Sequence, residues 1–73
     1  MTDKEKLSEC GWYVVYDYNF GIITFKKWWH EFLFLVSLDM ENGQITARDM
    51  YNKPITVNLE EMKLMIQYYE NRK

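Results

Sequence analysis

The clearest pattern in the chain is a helical stripe of apolar residues near its end. From position 59 onward, apolar side chains recur every three or four residues, at Leu59, Met62, Met65, Ile66 and Tyr69. Asn58 precedes the stripe as a preferred N-cap, and Glu61 follows three residues later, as in a capping box. This pattern predicts an amphipathic C-terminal helix. Leu64 and Tyr68 form a second, smaller apolar strip on the flank of that helix.

Residues 12–18 alternate with a period of two residues, which is typical of strands. In residues 12–18 one face carries Trp12, Val14, Tyr16 and Tyr18. Because the other face is also largely apolar, this strand is either buried on both sides or leaves one face to a partner. Residues 19–21 predict a turn, after which residues 22–25 return as an antiparallel strand.

Residues 26–38 fit two structures equally well by periodicity. A helix would form an apolar stripe of Trp29, Phe32, Leu33 and Val36. A strand would instead place every second residue from His30 to Leu38 on one face. The choice therefore depends on the segment that follows.

That segment contains Asn42-Gly43, a strong signal for a two-residue β-hairpin loop. Such a loop pairs positions whose numbers sum to 85, so that Leu38 faces Ala47 and apolar pairs alternate with polar pairs. We therefore predict a strand from Leu35 onward and leave helix or strand open for residues 26–33.

The remaining segments complete a small α+β fold. Residues 45–51 form the returning strand, residues 52–54 a turn that contains Pro54, and residues 55–57 a short last strand. At the start of the chain, residues 2–10 form either a short helix that stops at Gly11 or a frayed arm.

Together these elements predict a single domain over residues 1–73. Its architecture is an antiparallel meander of four to five strands, with the C-terminal amphipathic helix packed on one face.

Composition limits what such a domain does. The chain has 73 residues, a net charge of -2 and 18% aromatic residues. A domain of this size buries only about 60% of the surface that its unfolded chain exposes, so its core needs its largest side chains. The negative balance disfavours a general coating of DNA or of an anionic membrane.

The single cysteine and the apolar runs point to a cytoplasmic chain. Cys10 has no partner for an intramolecular disulfide, which favours a reducing compartment. The first residues are polar and do not resemble a signal peptide. The longest apolar run, residues 32–36, is far shorter than the roughly 20 residues that span a bilayer, so we expect no membrane insertion.

The chain offers no recognisable catalytic or metal-binding set. His30 is the only histidine and Cys10 the only cysteine, whereas a structural zinc site takes about four such ligands. A Cys–His pair would require these two residues to meet in space. We therefore expect no enzyme activity, no cofactor and no metal.

One motif suggests single-stranded nucleic acid. Residues 26–30 combine two cations with two indoles, in the order Lys26, Lys27, Trp28, Trp29 and His30. Lysines bind phosphates while aromatic rings stack on bases in such sites. The plainer interpretation is that one Trp packs in the core and the lysine stems cover the other. Acidic residues nearby, such as Glu31 and Asp39, favour that interpretation.

The same residue types suggest a protein interface. The chain contains three Trp, six Tyr and five Met, which is more than the hydrophobic core of a small domain is expected to bury. Trp, Tyr and Met are also enriched in protein interfaces. The alternative is that Tyr and Met fill an irregular core. Our leading hypothesis is a non-enzymatic interaction module that binds itself, as a homodimer, or binds a larger protein. Its expected interface residues are Trp12, Tyr16, Leu64 and Tyr68, and nucleic-acid binding is the alternative.

Overall fold

The computed structural model describes residues 2–17, 21–39 and 41–72, with the backbone alone for residues 16, 17 and 72. Within these ranges two helices and four strands follow one another as α1 (Asp3–Glu9), β1 (Tyr13–Asp17), β2 (Ile22–Trp29), β3 (Phe32–Asp39), β4 (Gln44–Asp49) and α2 (Leu59–Arg72). The four strands form one antiparallel sheet in the order β1-β2-β3-β4. The predicted α+β meander with a C-terminal helix is therefore confirmed.

The longest hairpin of the sheet joins β2 to β3. These strands pair over eight positions, from Ile22 with Asp39 to Trp29 with Phe32. His30 and Glu31 alone form the connection, and His30 adopts a left-handed backbone with φ of 56°. The helical alternative for residues 26–33 is therefore wrong, because a tight turn divides this segment between two strands.

The β3–β4 register differs from the predicted one by two positions. Leu38 faces Ile45, not Ala47, so paired positions sum to 83 instead of 85. Because side chains alternate with a period of two, this shift leaves every side chain on its predicted face. The hydrophobic pattern was therefore compatible with both registers.

Asp39 supplies the physical reason for the longer loop. Its carboxylate accepts hydrogen bonds from the backbone N–H groups of Glu41 (2.9 Å) and Asn42 (3.2 Å), and from Asn42 Nδ2 (2.9 Å). Its carbonyl accepts another from the N–H of Gly43 at 2.8 Å. The pKa of Asp39 is held below its ordinary value by these hydrogen bonds. The side chain of Asn42 contributes most, followed by the backbone N–H groups of Asn42 and Glu41.

The predicted fifth strand, residues 55–57, does not form. β4 ends at Asp49, whose carboxylate accepts hydrogen bonds from the N–H groups of Tyr51 (2.8 Å) and Lys53 (3.0 Å). The chain then turns back along β4, where Pro54 makes an isolated bridge to Arg48. Pro54 lacks an N–H group, so a regular ladder cannot continue through it.

Both helices begin at side-chain caps. Thr2 Oγ1 accepts a hydrogen bond from the Glu5 N–H (3.2 Å) at the start of α1, and Asn58 Oδ1 accepts one from the Glu60 N–H (2.8 Å) at the start of α2. Gly11, at φ of 92°, turns the chain from α1 into β1. The short N-terminal helix is thus confirmed over the frayed arm.

The hydrophobic core lies between the sheet and the two helices. Its buried members come from both helices, from β2 and β3, and from the residue before β1: Leu7, Trp12, Ile23, Phe25, Val36, Leu38, Met65 and Tyr68. The rings of Phe25 and Tyr68 meet edge to face at 5.8 Å between centroids. Because α1 and α2 contribute to the same core, both helices cover the same face of the sheet. Neither helix is long and apolar enough to cross a membrane.

Phe25 is the largest fully buried side chain in the described core, so its truncation tests this packing. We expect Phe25→Ala to lower the free energy of unfolding by about 3–5 kcal/mol, which nearly exhausts the stability of a small domain. Phe25→Leu, with a smaller loss of about 1–2 kcal/mol, keeps the test measurable by urea denaturation. The control Gln67→Ala, on the exposed side of α2, changes stability by less than about 0.5 kcal/mol. Equal losses for Phe25→Leu and Gln67→Ala would contradict the described core.

Candidate interaction surface

The side of the sheet opposite the helices is covered by neither helix, and we call it the open face. Alternation along the paired strands assigns its side chains. Those that the structure describes on its central part are Tyr13, Val15, Ile22, Thr24, Lys26, Trp28, Leu33, Leu35, Ser37, Thr46 and Arg48.

The register orders the open face into rows that cross the sheet. One row runs through all four strands as Tyr13, Lys26, Leu35 and Arg48, so cations alternate with apolar groups. The neighbouring row toward the β2–β3 turn pairs Trp28 with Leu33. In the next row on the other side of the Tyr13–Arg48 row, the hydroxyl oxygens of Thr24 and Ser37 lie 3.3 Å apart and form a hydrogen bond with each other.

Large aromatic side chains on the open face are strongly exposed. Trp28 is 56% exposed and Tyr13 is 46% exposed, and the half-buried Leu33 and Leu35 lie on the neighbouring strand β3, beside Trp28 and Lys26. Single exposed apolar residues are ordinary on a protein surface, whereas a contiguous group of them marks an interaction site. The register makes this group contiguous.

Charge is distributed unevenly over the open face. Lys26 and Arg48 lie in the same row, on either side of Leu35. The described carboxylate on this face, that of Asp39, lies at the opposite end of β3 and is held by the loop that follows. The half of the open face that carries Trp28 is therefore positive.

The turn between β2 and β3 exposes further rings on the side of the helices. Trp29 pairs with Phe32 there, and its ring lies 4.8 Å from that of His30 in an edge-to-face arrangement. The ring of Phe32 lies 6.2 Å from that of Tyr51. Trp28 and Trp29 are both exposed, but they point to opposite faces of the sheet.

Lys27 is directed toward the helices and not toward the open face. Its Nζ lies 3.7 Å from Glu61 Oε1 and 5.6 Å from the centre of the Trp12 ring. The predicted nucleic-acid motif is thus divided between two faces. Lys26 and Trp28 lie on the open face, Lys27 and Trp29 on the other side, and His30 in the turn.

The structure places the predicted interface residues differently from the expectation. Trp12 is 4% exposed and Tyr68 is 9% exposed, and both belong to the core. Leu64 is half-buried and packs against that core, while the side chain of Tyr16 lies outside the described residues. The expectation that Trp12 and Tyr68 present their rings to a partner is corrected, because a domain this small uses these rings to fill its interior.

The residues that sequence reasoning missed are Tyr13 and Leu35. Each was assigned to a strand, but neither was recognised as a neighbour of Lys26. The missing signal was the length of the second hairpin, which aligns β2 with β3 and thereby completes the row. The largely apolar character of both faces of residues 12–18 was the sequence feature that pointed toward a second surface.

The residues considered for catalysis lie in different surroundings. His30 is exposed in the β2–β3 turn, whereas the half-buried Cys10 interacts with Glu61 and Lys27. Burial raises the pKa of the Cys10 thiol above its ordinary value, and the Glu61 carboxylate raises it further. A nucleophilic cysteine needs the opposite shift. Across the described ranges, no group of three His, Cys, Asp or Glu side chains is arranged to hold a metal ion.

Comparisons with models of protein families, with curated proteins and with solved structures find no match to this chain.

The environment of Cys10 predicts a specific pH dependence. We expect the rate of its alkylation by iodoacetamide to rise with a midpoint above pH 9.0, the ordinary thiol value, because only the thiolate reacts. Glu61→Gln removes the neighbouring negative charge and moves the midpoint down toward that value. The raised pKa means that the Cys10 thiol holds its proton more tightly in the folded chain than in the unfolded chain. Its contribution to the free energy of unfolding is therefore fully present below the unfolded-state pKa and is lost as the pH rises through the folded-state pKa. A midpoint at or below pH 9.0 in the wild-type chain would refute this description.

Proposed function

We propose that this chain is a non-enzymatic protein-interaction module that binds a larger protein through the open face. The observation that carries the proposal is the exposure of Trp28 and Tyr13 on a sheet face that neither helix covers. The single, half-buried thiol of Cys10 suits a reducing compartment, and we propose a cytoplasmic location.

The apolar groups on the open face favour a protein as the partner. Leu33 and Leu35 lie on β3 beside Trp28 and Lys26, and aliphatic side chains gain most from burial against other apolar groups. That gain is about 25 cal/mol per Å² of apolar surface removed from water. Aromatic residues such as Trp28 and Tyr13 are also the residue types that anchor protein interfaces.

The charges on the open face define the chemistry of the partner. Lys26 and Arg48 flank Leu35 in one row, so a complementary surface has an apolar centre with carboxylates on either side. Such pairs raise the rate of association and fix the orientation of the complex more than they raise its affinity. We therefore propose an acidic partner surface with an apolar centre.

Single-stranded nucleic acid is the second candidate, and one observation favours it. Tyr13, Lys26, Trp28 and Arg48 lie together on the half of the open face that is positive. Rings and cations in this arrangement resemble a platform for bases and phosphates. Against it, Lys27 contacts Glu61 and Trp29 lies on the other side, so half of the original motif is not available to one strand.

Site-specific photocrosslinking tests the proposal in extracts of cells that encode the chain. A benzoylphenylalanine crosslinker at Thr46, which is exposed on the open face, is expected to give a discrete protein adduct. The same crosslinker at Gln67, exposed on α2, is expected to give none. Lys26→Glu combined with Arg48→Glu should lower the yield at least tenfold, as expected from the loss of about 1.4 kcal/mol or more.

The matched control is Lys4→Glu combined with Lys63→Glu, which changes the net charge equally but affects exposed positions on the helices. This control should leave the adduct unchanged. An adduct that survives the open-face charge reversal would contradict the proposal. A nuclease-sensitive adduct, together with quenching of Trp fluorescence by oligo-dT that disappears at high salt, would replace the proposal with the second candidate.

A further inference from the structure

The two edges of the sheet differ in how their backbone groups are satisfied. The outer edge of β4 is covered by the chain itself over residues 47–49, because residues 53–55 run beside them. The Asp49 N–H donates to the Lys53 carbonyl at 2.9 Å, and the Ile55 N–H donates to the Ala47 carbonyl at 3.4 Å. Arg48 and Pro54 form a bridge between these contacts. No strand can add to this edge without displacing that segment.

The outer edge of β1 has no such cover in the part of the chain that the structure describes. β1 pairs with β2 on one side, and its residues take part in no other described backbone hydrogen bond. On the open-face side, Tyr13 and Val15 are both exposed. An edge strand with unpaired N–H and C=O groups is a template for another strand.

The sequence of β1 lacks the features that normally protect an edge strand. Natural edges carry lysine, proline or a bulge, or are very short. β1 reads Tyr-Val-Val-Tyr-Asp and pairs with β2 over all five positions without interruption. Its residues have high β-propensity. The strand is therefore suited to pairing and not to avoiding it.

We infer that a second copy of this chain pairs with β1, antiparallel, about a twofold axis at Val15. This pairing uses the backbone edge of β1, whose exposed Tyr13 and Val15 also belong to the open face, and it goes beyond the proposed function. The two four-stranded sheets then form one continuous sheet of eight strands. Closed twofold dimers are the commonest oligomers, and a strand that pairs with its own copy satisfies that symmetry.

The charges of β1 favour this arrangement over the others. With the axis at Val15, position 17 of the second copy faces Tyr13, and all five residues find partners. A parallel in-register pair would instead set two aspartates beside each other, which is unfavourable. Antiparallel pairing separates them by about 13 Å along the strands, at roughly 3.3 Å per residue.

A charge-exchange experiment tests this dimer by sedimentation velocity in the micromolar range. We expect the wild-type chain to form dimers and Val15→Lys to be monomeric, because two lysines would face each other at the axis. Val15→Glu should be monomeric for the same reason. An equimolar mixture of the two variants should restore the dimer, which also shows that both variants are folded.

The matched control is Thr46→Lys, in the same row of the open face but on β4, the strand at the other edge of the sheet. It should dimerise like the wild-type chain. A wild-type chain that stays monomeric throughout this range, or a Val15→Lys chain that dimerises normally, would overturn the inference. Retained dimerisation of the Lys26→Glu, Arg48→Glu chain, together with the loss of its crosslinked adduct, would show that the dimer does not depend on these open-face charges, so that failure of the proposed function and failure of this inference remain distinguishable.

Discussion

The packing of the helices on only one side of the sheet is the constraint on which the rest of the structure depends. α2 has 14 residues and spans about 21 Å, which nearly matches the roughly 26 Å length of the eight-residue strands β2 and β3. Its buried Met65 and Tyr68 meet Phe25 and Val36 of the sheet in one core. Leu7 of α1 completes that core from the same side. The chain has no further helix in its described part to cover the other side.

This one-sided arrangement determines where large side chains are exposed. Trp12 lies in the core, and Lys27 fills its rim by contacting both the Trp12 ring and Glu61. Trp28, one residue further along β2, points away from the helices and stays exposed. Alternation along a single strand thus separates a residue that stabilises the fold from one that is available for binding. The same alternation places Lys26 on the open face and Lys27 on the side of the helices, at the rim of the core.

The elements that the sequence predicted well were those with a strong local signal. α2 followed from its apolar stripe and its Asn58 cap, and the order of the strands followed from their alternation. The turn at His30 and Glu31 has neither glycine nor asparagine, so the division of residues 26–33 into two strands carried no local signal. The β3–β4 register was decided by the Asp39 side chain, because a shift of two positions satisfies the hydrophobic pattern equally well.

The site was harder to predict than the fold for a related reason. Periodicity assigns residues to the two faces of a strand, but it does not show which face the helices cover. Trp12 was therefore predicted to lie in an interface, whereas the structure buries Trp12 in the core and exposes Tyr13. The five-residue motif at 26–30 was conspicuous in sequence, yet residues adjacent in a strand cannot act on one surface. The row of Tyr13, Lys26, Leu35 and Arg48 exists only through pairing between strands.

The most direct test of the account measures which leucine and valine methyl groups of β3 face the solvent. A paramagnetic probe in solution broadens the NMR signals of accessible methyl groups. We expect strong broadening for Leu33 and Leu35, on the open face, and protection for Val36 and Leu38, which are buried under the helices. Protection of Leu33 and Leu35 to the same degree as Val36 and Leu38, in a chain shown to be monomeric, would mean that the second face is covered and would contradict the account.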